Sequence, residues 1–411
     1  MDLTYRFRHS MLRRLLDAAG VVALTAPALY STACGKVVVD GGSGVGGSGG
    51  NGGEGGNADV SVTNGPGAGS NTSGSGCTLT SSGASGGQIQ VTECIVPVSG
   101  SCPNQYEATK FIVPSQSCSY VVSIDCGPVP QPGGCCYLVT EEGGGCVGRP
   151  FLIEDTARTA TVEHADRGWS LGVLAPDITG LDPEARRALA AAWTADALLE
   201  HASIAAFARF SLELLAVGAP ADLVTAAHRA ALDEVRHARI CFTLAQGYAG
   251  EPLSPSAFPF DGAITLSHDL ASLATATARE GCIGETLAAI LAAEQLARAT
   301  DPAVRRALAA IAEDETRHAE LAWRTIAWAI DRGGDAVRDA VAGVFAEAAQ
   351  YLPAVANDTA ISTGVLLSHG RLDPSATREA LARALDDVIC PGFASVLHRA
   401  PATVAVASAT A

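Results

Sequence analysis

From residue 182 to residue 333 apolar positions recur at intervals of three and four, the period of a helix that buries one face. Asp182-Pro183 opens the first such stretch with a capping side chain and a first-turn proline. Gly218-Ala219-Pro220 ends it and begins the next. The pattern predicts helices from Pro183 to about Val217, from about Pro220 to Gln246, from Asp269 to Ala299, and from Pro302 to just before Gly333-Gly334. Further helices are expected near 336–351 and 375–388, packed on the outside.

The connections arrange these elements. Both hairpin turns are short, whereas residues 251–267, EPLSPSAFPFDGAITLS, form a long link between the second and third helices. Seventeen extended residues reach about 55 Å at ~3.3 Å each, and a 28-residue helix spans about 42 Å. The link can run the length of the helices and leave the second and third parallel. Two short-looped hairpins joined by one crossover is the connectivity of a ferritin-like bundle rather than an up-and-down one.

Charge interrupts the apolar faces in a repeated way. DEVRHA at 233–238 returns as DETRHA at 314–319. Glu234 and His237 share the face of Val224, Ala227, Ala231, Cys241, Leu244 and Tyr248, and Glu315 and His318 share that of Val304, Leu308, Ile311 and Ala322. The first helix offers Glu200 on the stripe of Trp193, Ile204, Phe207 and Leu214. The third offers Glu285 among Ala278, Cys282, Ala289, Ala292 and Leu296. Counting from residue 219, Glu200 lies 19 residues before the first turn, and Glu234 and His237 lie 15 and 18 after it. Counting from residue 301, Glu285 lies 16 before, and Glu315 and His318 lie 14 and 17 after. Heights within each hairpin therefore agree to about one turn at ~1.5 Å per residue. One copy alone would read as exposed helix charges in i,i+3 pairs. Two copies with matched glutamates read as four carboxylates and two imidazoles meeting inside, their charge balanced by two divalent ions.

This pattern resembles the ferritin-like di-iron carboxylate superfamily: bacterial monooxygenases, desaturases, ribonucleotide reductase small subunits and rubrerythrin-like proteins. Its signature is a Glu about 30 residues before D-E-x-R-H, which this chain carries twice over residues 190–330. The resemblance implies a mainly α protein with Glu200, Glu234, His237, Glu285, Glu315 and His318 as metal ligands. It further implies that Asp233 and Asp314 each hold the histidine of the opposite helix, and that Arg236 and Arg317 pair with those aspartates. Cys241 sits where soluble methane monooxygenase also carries a cysteine; the plain reading is a small core residue. Cys282 stands where a rubrerythrin would carry an extra glutamate, a departure from that branch. Parallel second and third helices place Cys241 and Cys282 above and below the metals, unbridged. Gly281 and Gly284 beside Glu285 mark either a π-bulge or close packing.

Upstream, Arg6, Arg8, Arg13 and Arg14 precede the apolar stretch AAGVVALTAPALY, and Ser31-Thr32-Ala33 meets Cys34. Residues 1–34 fit a secretory signal and resemble a lipoprotein signal in which Cys34 is acylated. The chain is then exported to the cell envelope, or to the periplasm or exterior of a bacterium. Residues 35–76 are Gly/Ser-rich and read as a flexible tether. Eight cysteines within 77–150 (Cys77, Cys94, Cys102, Cys118, Cys126, Cys135, Cys136 and Cys146) read as a disulfide-stapled module containing β-strands. The connector is 151–180, the bundle 181–332, the accessory helices 333–400 and the tail 401–411. No run of 18 apolar residues occurs, so the membrane is met only through the lipid anchor. A net charge of −16 argues against nucleic acid.

Three functions follow. Two iron ions (alternatively two manganese, or one of each) react with O2 or peroxide in ferroxidase- or peroxidase-type chemistry. An oxygenase would need an external electron donor, because the chain has no flavin, rubredoxin or ferredoxin pattern. A non-catalytic exported metal-binding or surface-interaction protein needs neither. The alanines Ala202, Ala205, Ala288, Ala289 and Ala292 near the ligands either leave a pocket or let the helices approach.

Overall fold

The structure, a computed structural model, describes residues 3–21, most of 147–348, 363–398, and several stretches between 77 and 143. Cys34, the 35–76 tether, Cys118, Cys146 and the 401–411 tail lie outside the described residues. The fold is mainly helical, with a small antiparallel sheet near its N-terminal end.

Asp-Pro pairs start three of the long helices, each aspartate accepting a first-turn backbone N–H. Asp182 accepts from Ala185 at the head of Pro183–Ala216 (α2). Asp301 accepts from Val304 at the head of Pro302–Gly333 (α5), and Asp373 from Ala376 at the head of Pro374–Ala384. Between α2 and α5 lie Ala221–Ala249 (α3) and a composite helix of Leu270–Ala276, a π-helical turn Thr277–Glu285, and Thr286–Arg298 (α4). Left-handed Gly250, with φ 80°, terminates α3, a conformation that a side chain would strain. Asp335–Ala346 (α6) and the run Pro374–Leu397 (α7, with its own π segment Leu385–Ile389) pack against α4 and α5 through Trp323, Phe345 and Phe393.

Strands Gln88–Ile95 (β1), Ser119–Gln131 (β2) and Gly134–Gly143 (β3) form a sheet in the order β1-β3-β2. Disulfides Cys77–Cys126, Cys94–Cys136 and Cys102–Cys135 staple it, with Cys94 directly opposite Cys136 in register. Such bridges persist in an oxidising, exported environment. Cys390, for which the sequence names no partner, is also disulfide-bonded. Among the described residues no helix is long and apolar enough to cross a membrane.

Leu3–Ala18 (α1), which carries the arginines of the export-signal reading, packs on α4, α5 and α7. Met11, Leu15 and Leu16 are buried there. Arg8 reaches Glu294 at 2.7 Å and Asp387 at 2.8 Å, and Arg14 reaches Glu320 at 2.5 Å. Residues 147–151, where the Cys-rich module gives way to the connector, lie against α4. Gly148 N–H donates to Gly284 O at 2.9 Å, and Ser203 Oγ donates to Arg149 O at 2.9 Å.

Gly284 has no room for a side chain, since a Cβ there would sit 2.1 Å from the Gly148 carbonyl oxygen. Gly284→Ala therefore forces the 147–151 strap off α4 and should lower stability by about 1–3 kcal/mol, the cost of overpacking a tight site. An unchanged urea midpoint would contradict this contact.

Candidate metal centre

Each of the six sequence-derived ligand residues comes from the expected helix: Glu200 from α2, Glu234 and His237 from α3, Glu285 from the end of the π turn, and Glu315 and His318 from α5. All but Glu200 are at most 3% exposed. Ligand atoms of Glu200, Glu234, His237 and Glu315 all lie within 4.8 Å of one another, and so do those of Glu285, Glu315 and His318. Glu315 belongs to both groups. His237 Nδ1 is 3.1 Å from Glu315 Oε1 and 3.6 Å from Glu200 Oε2 and Glu234 Oε2. His318 Nδ1 is 3.0 Å from Glu234 Oε1 and 3.4 Å from Glu315 Oε2.

The outer ring nitrogens face the other way, across the helix pair. His237 Nε2 lies 3.0 Å from Asp314 Oδ2, and His318 Nε2 lies 3.5 Å from Asp233 Oδ2. Arg317 bonds Asp233 at 2.9 Å and also pairs with Asp314, while Arg236 pairs with both aspartates. Burial raises Asp233, but His318 and Arg317 outweigh it and bring its carboxyl down to about 2. Asp233 thus stays ionised, Asp314 bonds the His237 ring, and both Nδ1 atoms face inward, the outer-sphere arrangement that metal-binding histidines use.

Inside, the donors have no protein partners of the right geometry. His237 Nδ1, His318 Nδ1, Glu234 Oε2, Glu285 Oε1 and Glu315 Oε2 are buried without a hydrogen bond. Buried polar atoms normally find one, and a cluster of inward-facing lone pairs is what a cation satisfies. Burial and the charge of Glu234 push Glu200 well above the usual carboxylate range; burial and Glu315 do the same to Glu285. Despite burial, the facing imidazoles hold Glu234 and Glu315 below that range. Burial would lower His237 and His318, but the surrounding glutamates raise both well above the ordinary imidazole value. Without metal the cluster stays tolerable by retaining protons. The donor set fits two divalent ions: carboxylate oxygen and imidazole nitrogen, four negative charges, and one carboxylate placed to serve both positions.

A cavity of about 240 Å³ adjoins the cluster, walled by Trp193, Asp196, Glu200, Cys241, Glu285 and Ala292 among others. The alanines divide between both sequence-based alternatives: Ala288 and Ala292 line this space, whereas Ala289 is core and Ala202 packs on Phe151. Cys241 and Cys282 are free and buried, and burial above all pushes both thiols well up, so neither offers a thiolate. Cys241 is a cavity wall; Cys282 is core. At Gly281 and Gly284 a π turn and a close approach coincide.

Sequence reasoning missed Arg149, Glu280 and Arg209. Arg149 Nε lies 3.4 Å from Glu285 Oε1 and Nη1 lies 3.4 Å from Glu280 Oε2, while Arg209 Nη2 lies 3.0 Å from Glu280 Oε1. Arg149 belongs to no periodic element, and its reach into the core is a tertiary fact. Glu280, one π turn before Glu285, was the only local signal.

Comparison of this chain with protein families, with characterised proteins and with solved structures yields no match. What fold and site define is a mainly helical, disulfide-bearing protein with a buried carboxylate–imidazole cluster able to hold metal.

Divalent ions must displace the retained protons. Groups whose values are raised hold protons to higher pH, so affinity should climb with pH and keep climbing past the usual imidazole value of 6.5. Calorimetry with Mn(II) at a series of pH values, in buffers of different ionisation heat, reads both affinity and proton release; a flat profile would contradict this. Asp314→Asn leaves His237 without its anionic partner and should cost roughly 10–100-fold in affinity, measured in the same titration.

Proposed function

We propose that this chain is a dinuclear metal protein of the ferritin-like carboxylate type, that α2–α5 form its four-helix bundle, and that the ions are iron reacting with O2 or peroxide. The observation that supports it most is Glu315, common to two ligand groups whose inward nitrogens and oxygens lack hydrogen bonds. A pair of ferrous ions supplies two electrons, which with two protons convert one peroxide to two waters. The protein's part is to hold the donors, orient both imidazoles through Asp233 and Asp314, and bury the reaction among Trp193, Cys241, Leu308 and Ile311. The disulfides fit an oxidising compartment, and there ferroxidase turnover needs no reductase because Fe(II) is both substrate and electron source, whereas peroxidase turnover needs fresh Fe(II) or another two-electron donor after each peroxide.

The cavity beside Glu200 and Glu285 favours a second reading, an oxygenase fed by an external donor, because iron or peroxide alone does not need 240 Å³.

Anaerobic Fe(II) titration of the full chain should saturate at two ions. Added O2 or peroxide should then oxidise both, seen as new near-ultraviolet absorption, and Glu315→Ala should abolish the step. Irons that stay ferrous under both oxidants would favour a purely metal-binding protein. A chain that retains neither Fe(II) nor Mn(II) would overturn the reading.

A further inference from the structure

Arg149 reaches the cluster from outside the long helices, and nothing in the proposed chemistry uses it. It is 2% exposed, clamped between the rings of Phe207 and Phe210 with centroids at 4.8 and 4.5 Å, and its backbone is held by Ser203. A desolvated guanidinium needs an anion beside it. Glu280 serves only in part, because its other oxygen bonds Arg209 at 3.0 Å. The remaining anion is Glu285, whose Oε1 faces Arg149 Nε at 3.4 Å.

Glu285 is also one of three donors, with Glu315 and His318, of the second ligand group. A divalent ion and Arg149 therefore draw on the same carboxylate and repel each other. The first group, Glu200, Glu234, His237 and Glu315, has no such competitor. Among the described residues no arginine forms an ion pair with Glu200, Glu234 or Glu315. Resting on the dinuclear reading, we infer that Arg149 makes the two metal positions unequal. By claiming Glu285 as its counter-ion it weakens the Glu285–Glu315–His318 position and leaves the other one strong. The strap tying the disulfide-stapled sheet to the helices thus sets how readily the second ion binds and leaves. Arg149 is a positioning residue, acting on the metal only through Glu285.

The test is Mn(II) titration of the full-length protein, with free ion read by electron paramagnetic resonance and folding checked by circular dichroism. Wild type should bind two ions in separated steps. Arg149→Gln, which removes the charge and keeps hydrogen-bonding capacity, should tighten the second step about tenfold, that is about 1.4 kcal/mol, with the first unchanged. Arg149→Lys should keep the second step weak. Glu280→Gln should weaken it further, because Arg149 then depends on Glu285 alone; this variant decides the matter if Arg149→Gln does not fold. A second step unmoved or weakened in Arg149→Gln, a lysine variant that behaves like glutamine, or a Glu280→Gln variant that tightens the second step would each overturn the inference while leaving two ions bound. A wild type that binds no Mn(II) or Fe(II) would instead remove the dinuclear reading beneath it.

Discussion

Six ionisable side chains are packed into one water-poor space, and that crowding is the constraint to which everything else answers. An uncompensated buried charge costs several kcal/mol, and here four carboxylates meet within a few ångströms of two imidazoles. Protons relieve the strain in the metal-free chain; two divalent ions relieve it more completely, since their four charges match the four carboxylates. Any account of these helices that ignores cations leaves their most expensive feature without a physical reason.

Around that cluster the fold works as a holder. Asp-Pro caps start α2 and α5, and the matched helix heights then bring Glu200, Glu234 and Glu315 to one level. Asp314 bonds the His237 ring, and Asp233 lies 3.5 Å from His318 Nε2. A π turn in α4 carries Glu285 to its place and, through Gly284, admits the strap that brings Arg149. The outer ring of two aspartates and two arginines is neutral within itself. Among the described residues the inner carboxylates pair with no arginine except Arg149 at Glu285. The cluster is built from a repeated motif, and Arg149, from another part of the chain, faces it at Glu285.

The repeated periodicity made the helices and the six residues of the cluster legible. Helical spacing is local, and burying Glu234 with His237 or Glu315 with His318 on an apolar face is a contradiction visible without coordinates. Crossed Asp–His pairing came only through resemblance, because spacing on one helix says nothing about a partner helix. Disulfide pairing was open among the cysteines until Cys94 was found opposite Cys136. Arg149 was invisible because irregular segments carry no period to show which way a side chain points.

The most direct measurement is a crystal structure of the protein soaked in Mn(II) or Fe(II), with anomalous scattering recorded at the metal edge. The account requires two peaks bounded by Glu200, Glu234, His237, Glu285, Glu315 and His318, both touching Glu315. A single peak elsewhere, or none among these residues, would contradict it.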